Sequence, residues 1–175
     1  MYTYEVKIPK DRIAVIIGKK GQEKKLLEEK TGTKIKIDSK EGDVIVSSED
    51  SLKAFLSKDI VKAIGRGFNP KITQNLLNEN YNLEIIDIPS ITGKSKEKQK
   101  RLKGRAIGKE GKAKKMVEQI TGTDIVIYGK TISIIGEIED TSLAKRAMID
   151  ILSGYPHGPI YKRLQQRKKE RARKL

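Results

Sequence analysis

Ile107-Gly108-Lys109-Glu110-Gly111-Lys112-Ala113-Lys114-Lys115 has a near copy ninety positions upstream, Ile17-Gly18-Lys19-Lys20-Gly21-Gln22-Glu23-Lys24-Lys25. Residues 16–37 align with 106–127 without a gap, and twelve of the twenty-two positions are identical. A repeat of this length means that one folding unit is present twice, and 175 residues leave room for two small units with separate cores. In both copies the Gly-x-x-Gly follows an aliphatic stretch and is followed, at fixed distance, by Thr-Gly-Thr and an alternating segment.

Outward from the glycines, each copy reads the same way. Residues 4–8 alternate apolar and charged side chains before Pro9, the pattern of a strand with one buried face. Asp11 is placed to cap a helix carrying Ile13, Ile16 and Ile17, and Gly18 ends it. A second helix begins at Gln22 and stops at Thr31-Gly32-Thr33. Residues 34–38 and 44–46 form a hairpin, and residues 51–64 an amphipathic helix with Leu52, Phe55, Leu56, Ile60, Ala63 and Ile64 towards the sheet, capped by Asp50 or Ser51. The order is β-α-α-β-β-α. In the second copy, residues 82–88 are the first strand, 125–127 and 132–135 the hairpin, and 141–152 the closing helix. The fold class is therefore α+β, with each copy a three-stranded sheet covered by helices. The boundaries are 1–68 for the first domain, 69–80 for a bridging segment with a short helix around Ile72, Leu76 and Leu77, 81–160 for the second domain and 161–175 for a basic tail.

Two features set the second copy apart. Between Pro89 and Gly108 it has ten residues more than the first copy has between Pro9 and Gly18, and this insertion holds Lys94, Lys96, Lys98, Lys100, Arg101, Lys103 and Arg105 against Glu97 alone. So charged a segment is expected to stay out of the core. The tail holds eight Lys and Arg against Glu170, almost half of the formal net charge of +15, and is either a basic helix docking on nucleic acid or a solvated end. Such an excess attracts polyanions.

The glycine loop supplies the matching chemistry. Two glycines two residues apart let the backbone turn tightly and approach a phosphate, while the helix behind them presents the positive end of its dipole. Lys19 and Lys20, or Lys109 beside Glu110, add charge at that point. Each copy thus reads as a grip for the backbone of single-stranded RNA. Gly18, Lys19, Lys20, Gly21, Lys24 and Lys25 would serve in the first, and Gly108, Lys109, Glu110, Gly111, Lys112, Lys114 and Lys115 in the second, with Arg105 on the approach.

This organisation resembles the type I K homology (KH) domain, whose Gly-x-x-Gly loop clamps about four nucleotides. The resemblance implies two tandem type I KH domains. It also implies an aliphatic base groove between the second helix and the next strand, walled by Ile13, Ile16, Ile17, Leu27, Ile35 and Ile37 in the first copy and by Ala106, Ile107, Val117, Ile125 and Ile127 in the second. Lys24 and Lys114 stand where the usual motif has an aliphatic residue, which makes such a groove shallower and strengthens the phosphate attraction. More specifically, Gly104-Arg105-Ala106-Ile107-Gly108-Lys109-Glu110-Gly111-Lys112, Thr131-Ile132-Ser133-Ile134-Ile135-Gly136, Ala144-Lys145-Arg146-Ala147, residues 154–161 and the junction Ala63-Ile64-Gly65-Arg66-Gly67-Phe68 resemble the ribosome-biogenesis KH proteins called partner of Nob or dimethylase-interacting proteins. Intact glycine loops in both halves look like the archaeal form. What that likeness implies is binding to the 3′ end region of small-subunit ribosomal RNA, alongside a processing endonuclease or a dimethylase.

Other classes fit the sequence less well. With no Cys and only His157, disulfides, thiolate metal sites, Cys nucleophiles and His-based triads have no residues to build them, and no cofactor is expected. Thr92-Gly93-Lys94-Ser95 ends like a P-loop, but Ile88 stands where its first glycine is needed. There is no Trp, and Phe55 and Phe68 do not make an RRM-like stacking surface. The expectation is a non-catalytic RNA-binding protein, cytoplasmic and without membrane attachment. The rival reading is a basic scaffold docking an acidic protein.

Overall fold

A computed structural model describes all 175 residues, which fold as two compact units, Met1–Glu79 and Asn80–Leu175. The first contains β1 (Tyr2–Lys7), α1 (Lys10–Ile17), α2 (Gln22–Thr31), β2 (Lys34–Asp38), β3 (Asp43–Ser48), α3 (Ser51–Gly65) and α4 (Pro70–Thr73). The second contains β4 (Tyr81–Asp87), α5 (Ile88–Thr92), α6 (Lys96–Ile107), α7 (Lys112–Thr121), β5 (Asp124–Tyr128), β6 (Thr131–Glu137), α8 (Ile138–Leu152) and α9 (His157–Lys174). A 3-10 turn lies between the paired helices of each copy, at Lys19–Gly21 and Lys109–Gly111, and another follows α4 at Gln74–Leu77.

Both sheets are antiparallel and have the same strand order, β1-β3-β2 and β4-β6-β5. The core of each unit lies between its sheet and helices. Val44, Val46, Ile35, Ile16 and Leu27 fill the first, and Ile132, Ile134, Ile125, Ala106 and Val117 the second. Alternation in β3 and three-to-four spacing in the helices produce this division, whereas β6 is buried on both faces from Ile132 to Gly136.

Local chemistry explains the repeated Thr-Gly-Thr. Gly32 and Gly122 take left-handed conformations that end α2 and α7. The flanking threonines are buried: Thr31 donates to the Leu27 carbonyl at 2.6 Å and touches Thr33 at 2.7 Å, and Thr121 donates to the Val117 carbonyl at 2.6 Å and touches Thr123 at 2.8 Å. Helix end and buried polar pairing are therefore solved together.

The structure changes several details of the sequence reading. Helix α1 begins at Lys10 with Pro9 as its N-cap residue and no side-chain cap, because proline already fixes the entry dihedral; Asp11 lies inside the first turn. Asp50 caps α3 by accepting from Leu52 and Lys53 amides at 2.9 and 3.1 Å. Leu52 and Phe55 are exposed, and the buried face of α3 runs through Ala54, Ser57, Ile60, Val61 and Ile64 instead. Phe55 lies edge-on to Tyr4, with Lys58 Nζ 4.0 Å from its ring centre. Helix α8 starts at Ile138 rather than Thr141.

The insertion of the second copy is not wholly outside the core. It builds α5 and α6, and Leu102 is buried beside Ala106 on the inner face of α6. Residues 161–175, set apart above as a tail, belong to α9, which packs on α7 and α8 through buried Ile160 and Leu164.

Candidate nucleic-acid interface

Both glycine loops have the same backbone. Gly18 and Gly108 have φ of 70° and 77°, Lys20 and Glu110 are left-handed at 54° and 57°, and Gly21 and Gly111 follow at 74° and 76°. Lys20 and Glu110 are the only non-glycine residues with positive φ, so strain is concentrated at the tips of the two loops. The two glycines of a pair do different things. A Cβ on Gly18 would lie 2.5 Å from Glu23 Cβ, and one on Gly108 2.6 Å from the Ala113 nitrogen, so the first glycine lets the next helix approach. Gly21 has nothing within 4 Å of that point and Gly111 only the end of the Lys115 side chain at 4.0 Å. The second glycine therefore leaves space open, in front of a helix N-terminus, where a phosphate can approach. Lys19, Lys20, Lys109, Glu110, Lys112, Lys25 and Lys115 are all exposed there.

The aliphatic residues divide cleanly. Ile13, Ile16, Leu27 and Ile35 are buried, as are Ala106, Val117 and Ile125, and these are core rather than groove wall. Ile17 and Ile37, and their equivalents Ile107 and Ile127, are half-buried and remain available to a base. Sequence periodicity cannot separate the two groups, because both lie on the inner faces of their elements. It also passes over Leu26 and Met116, equivalent positions next to Lys25 and Lys115 whose apolar side chains are more than a third exposed. Their recurrence at one repeat position was the available signal.

Three cations named from sequence are engaged elsewhere. Lys24 Nζ lies 3.3 Å from Glu28 Oε1, which also accepts the Ile35 amide at 2.8 Å. Lys114 Nζ lies 3.0 Å from Glu118 Oε1, which accepts the Ile125 amide at 2.8 Å. A glutamate thus joins the second helix to the edge strand in each copy, and the lysine balances its charge rather than standing free beside the loop. Replacing Glu118 by alanine strands the Ile125 amide and is expected to destabilise the second unit by about 1–2 kcal/mol in urea titration. Nearby, burial foremost and then Glu118 push the Asp124 carboxyl above its ordinary range, with Lys114 opposing. Arg105 donates to the carbonyls of Ile151, at 3.4 Å, and Tyr155, while His157 Nε2 is 2.9 Å from the Arg105 carbonyl oxygen. It fastens α6 to the α8–α9 connection, just as Arg12 fastens α1 to the Ile64 and Phe68 carbonyls at 2.8 and 2.9 Å.

The C-terminal cations are similarly divided. Arg163 pairs with Asp150, Lys168 with Asp140 at 2.9 Å, and Arg171 with Asp140, with Glu139 at 2.7 Å and with Glu137 at 3.2 Å. Asp140 is buried, so removing its charge undoes the anchor of the last turns. Asp140→Ala is expected to cost about 1–3 kcal/mol and to speed amide exchange across residues 165–174.

The Gly-Lys-Ser of the insertion holds no nucleotide loop. Gly93 ends α5, its carbonyl accepts from Gln99 at 2.8 Å, and the Ser95 hydroxyl caps α6 by accepting from the Lys98 amide at 3.3 Å. No helix is long and apolar enough to cross a membrane.

Two units that share a β-α-α-β-β-α core, with a glycine loop between α1 and α2 in the first and between α6 and α7 in the second, define a tandem type I KH protein. The comparisons agree. Residues 82–169 match the model of the eukaryotic type KH domain, KH domain type I, and residues 3–54 that of the KH domain. A KH domain-containing protein of Methanocaldococcus jannaschii is 43% identical over 169 residues, covering 94% of this chain and 74% of the relative. Dim2p of Pyrococcus horikoshii is 44% identical with a TM-score of 0.88, covering 95% of this chain and 99% of that one, and it has also been solved in a complex with a/eIF2α and rRNA. The pre-rRNA-processing protein pno1 of Aspergillus fumigatus is 34% identical over 122 residues, covering 65% of this chain and 47% of its own length. The chain thus spans less than half of that eukaryotic relative. It belongs to the PNO1/Dim2 family of KH-domain proteins.

Proposed function

We propose that this chain is a non-catalytic protein that binds single-stranded RNA at the 3′ end region of small-subunit rRNA while the ribosomal subunit matures. The observation that carries the reading is the loop at Gly108–Gly111: a strained tip, a second glycine facing open space and an unobstructed helix N-terminus behind it. The rRNA assignment draws on what its relatives are, a pre-rRNA-processing protein and a Dim2p solved with rRNA. Lys109, Lys112 and Lys115 meet phosphates together with the backbone of Gly108, Glu110 and Gly111, and Ile107 and Ile127 meet a base. Gly18, Lys19, Lys20, Gly21, Lys25 and Ile17 do the same in the first unit.

The protein works where pre-ribosomes mature, in the cytoplasm, and a processing endonuclease or a dimethylase is its protein partner. An acidic protein as the main partner is the weaker reading, because Arg163, Lys168 and Arg171 already have acidic partners within their own unit. Titration with a labelled RNA copied from the 3′ end of the small-subunit rRNA, and with a scrambled RNA of equal length, tests the assignment. Tighter binding to the authentic sequence is expected. Equal binding to both removes the rRNA assignment and leaves general RNA binding.

A further inference from the structure

We propose that α6 and the β5–β6 turn of the second unit form an additional phosphate-binding site, with Lys96, Lys100 and Lys130 taking backbone phosphates of the same RNA strand beyond the glycine loop. The inference rests on the RNA-binding reading above and adds a place and a length to it. Positions 96, 100, 103 and 107 lie on one face of α6, at the spacing of successive helical turns, and position 107 leads straight into Gly108. That face runs from the loop to a cavity of about 200 Å³ lined by Ile88, Lys96, Gln99, Lys100, Lys103, Gly129 and Lys130. From Lys96 to Gly108 the axial rise is roughly 18 Å, more than the loop itself can reach.

Of the four lysines around this cavity, only Lys103 has an internal use. Lys103 Nζ donates to the Gly129 carbonyl at 2.7 Å and so holds the turn against α6. Lys96, Lys100 and Lys130 are exposed and make no ion pair. No carboxylate lines the cavity; Asp87, next to Ile88, is held by the Ser90 amide at 3.1 Å. A cluster of lysines with neither partners nor acids is unfavourable by itself and is relieved by an anion.

The first unit provides an internal contrast. Its α1 has 8 residues where α6 has 12, and its β2–β3 turn carries Asp38, Glu41 and Asp43 around Lys40. Asp38 accepts the Lys40 and Glu41 amides at 2.9 and 3.2 Å, and Asp43 pairs with Lys7 at 3.7 Å. The same fold therefore exists with an acidic turn, and the basic extension is particular to the second unit. Phosphate is favoured over an acidic peptide because the cations continue a line that starts at a phosphate-type loop.

The test uses the full chain and a triple variant, Lys96→Glu, Lys100→Glu and Lys130→Glu, which leaves Lys103 and the buried face of α6 intact. Each is titrated with a four-nucleotide RNA, the length a KH loop clamps, and with an RNA of about twelve nucleotides. The triple variant is expected to bind the short RNA as the parent does and to lose most of the gain that the longer RNA gives. At about 0.7 per phosphate contact, its salt slope on the longer RNA falls by about 2, so between 50 and 200 mM salt the parent loses about twenty-fold more affinity than the variant. Equal affinity and equal slope on the longer RNA overturn the site, as does a loss confined to an acidic peptide titrated alongside the two RNAs. A loop variant, Lys109→Asp with Glu110→Asp, distinguishes the underlying reading: if it still binds the short RNA normally, the glycine-loop assignment itself has failed.

Discussion

Changing Lys109 and Glu110 together to aspartate is expected to lower affinity for single-stranded RNA by at least about ten-fold at moderate salt while leaving the unfolding midpoint nearly unchanged. Both side chains are exposed and neither has an ion-pair partner, so the folded state has little to lose. Glu110 already adopts a left-handed conformation, which aspartate tolerates as well as glutamate does. What changes is the sign of the field at the helix N-terminus, where a phosphate must come close to backbone amides. The corresponding change at Lys19 and Lys20 removes two positive charges instead of one. If the first loop also holds RNA, its effect is at least as large; if the first unit only supports the second, affinity is nearly unchanged. Fluorescence anisotropy over a salt series measures both variants.

Gly108→Ala is expected to destabilise the second unit by about 3 kcal/mol or more, whereas Gly111→Ala costs about 1 kcal/mol. The difference follows from geometry. Both glycines have positive φ, but the new methyl at 108 meets the Ala113 nitrogen at 2.6 Å and its Cβ at 2.7 Å, and the helix that carries them cannot yield without moving buried Ala113 and Val117. At 111 the methyl finds open space. On the proposed reading a phosphate occupies that space, so Gly111→Ala should weaken RNA binding more than it weakens the fold. Urea titration and RNA titration of the two variants should give opposite rankings. If Gly108→Ala unfolds at the same urea concentration as Gly111→Ala, the close approach of α7 is not what the first glycine secures.

Much of this was visible in the sequence because the repeat doubles every local signal. A lone Gly-x-x-Gly is a common hinge, but the same loop, Thr-Gly-Thr and strand at a constant offset specify one unit, and the β-α-α-β-β-α core shared by both units follows from it, though α5 and α9 of the second do not. What escaped is non-local. The acceptors of Arg105 lie 46 and 50 residues away, so it looked like a loop cation and is a fastener. Lys114 and Glu118 are four apart, and their pairing was within reach of helix geometry. The third member, the Ile125 amide, was not, since it depends on where the edge strand lies.

Two segments misled through composition. Residues 161–175 are so basic that the Ile160 and Leu164 pair, one turn apart, was lost in the charge, although that pair docks α9. The insertion looked wholly solvent-facing for the same reason, although Leu102 and Ala106 bury one side of α6 and leave the lysines on the other. In the candidate groove, the core isoleucines and the accessible ones share a periodicity and differ only in depth.

The most direct measurement is ultraviolet crosslinking of the full chain to RNA in living cells, with sequencing of the attached RNA and mass spectrometry of the attached peptides. The account predicts reads concentrated at the 3′ end of small-subunit rRNA and adducts on the peptides around Gly108–Lys115. Reads scattered over messenger RNAs, or adducts confined to surfaces away from both glycine loops, would contradict it.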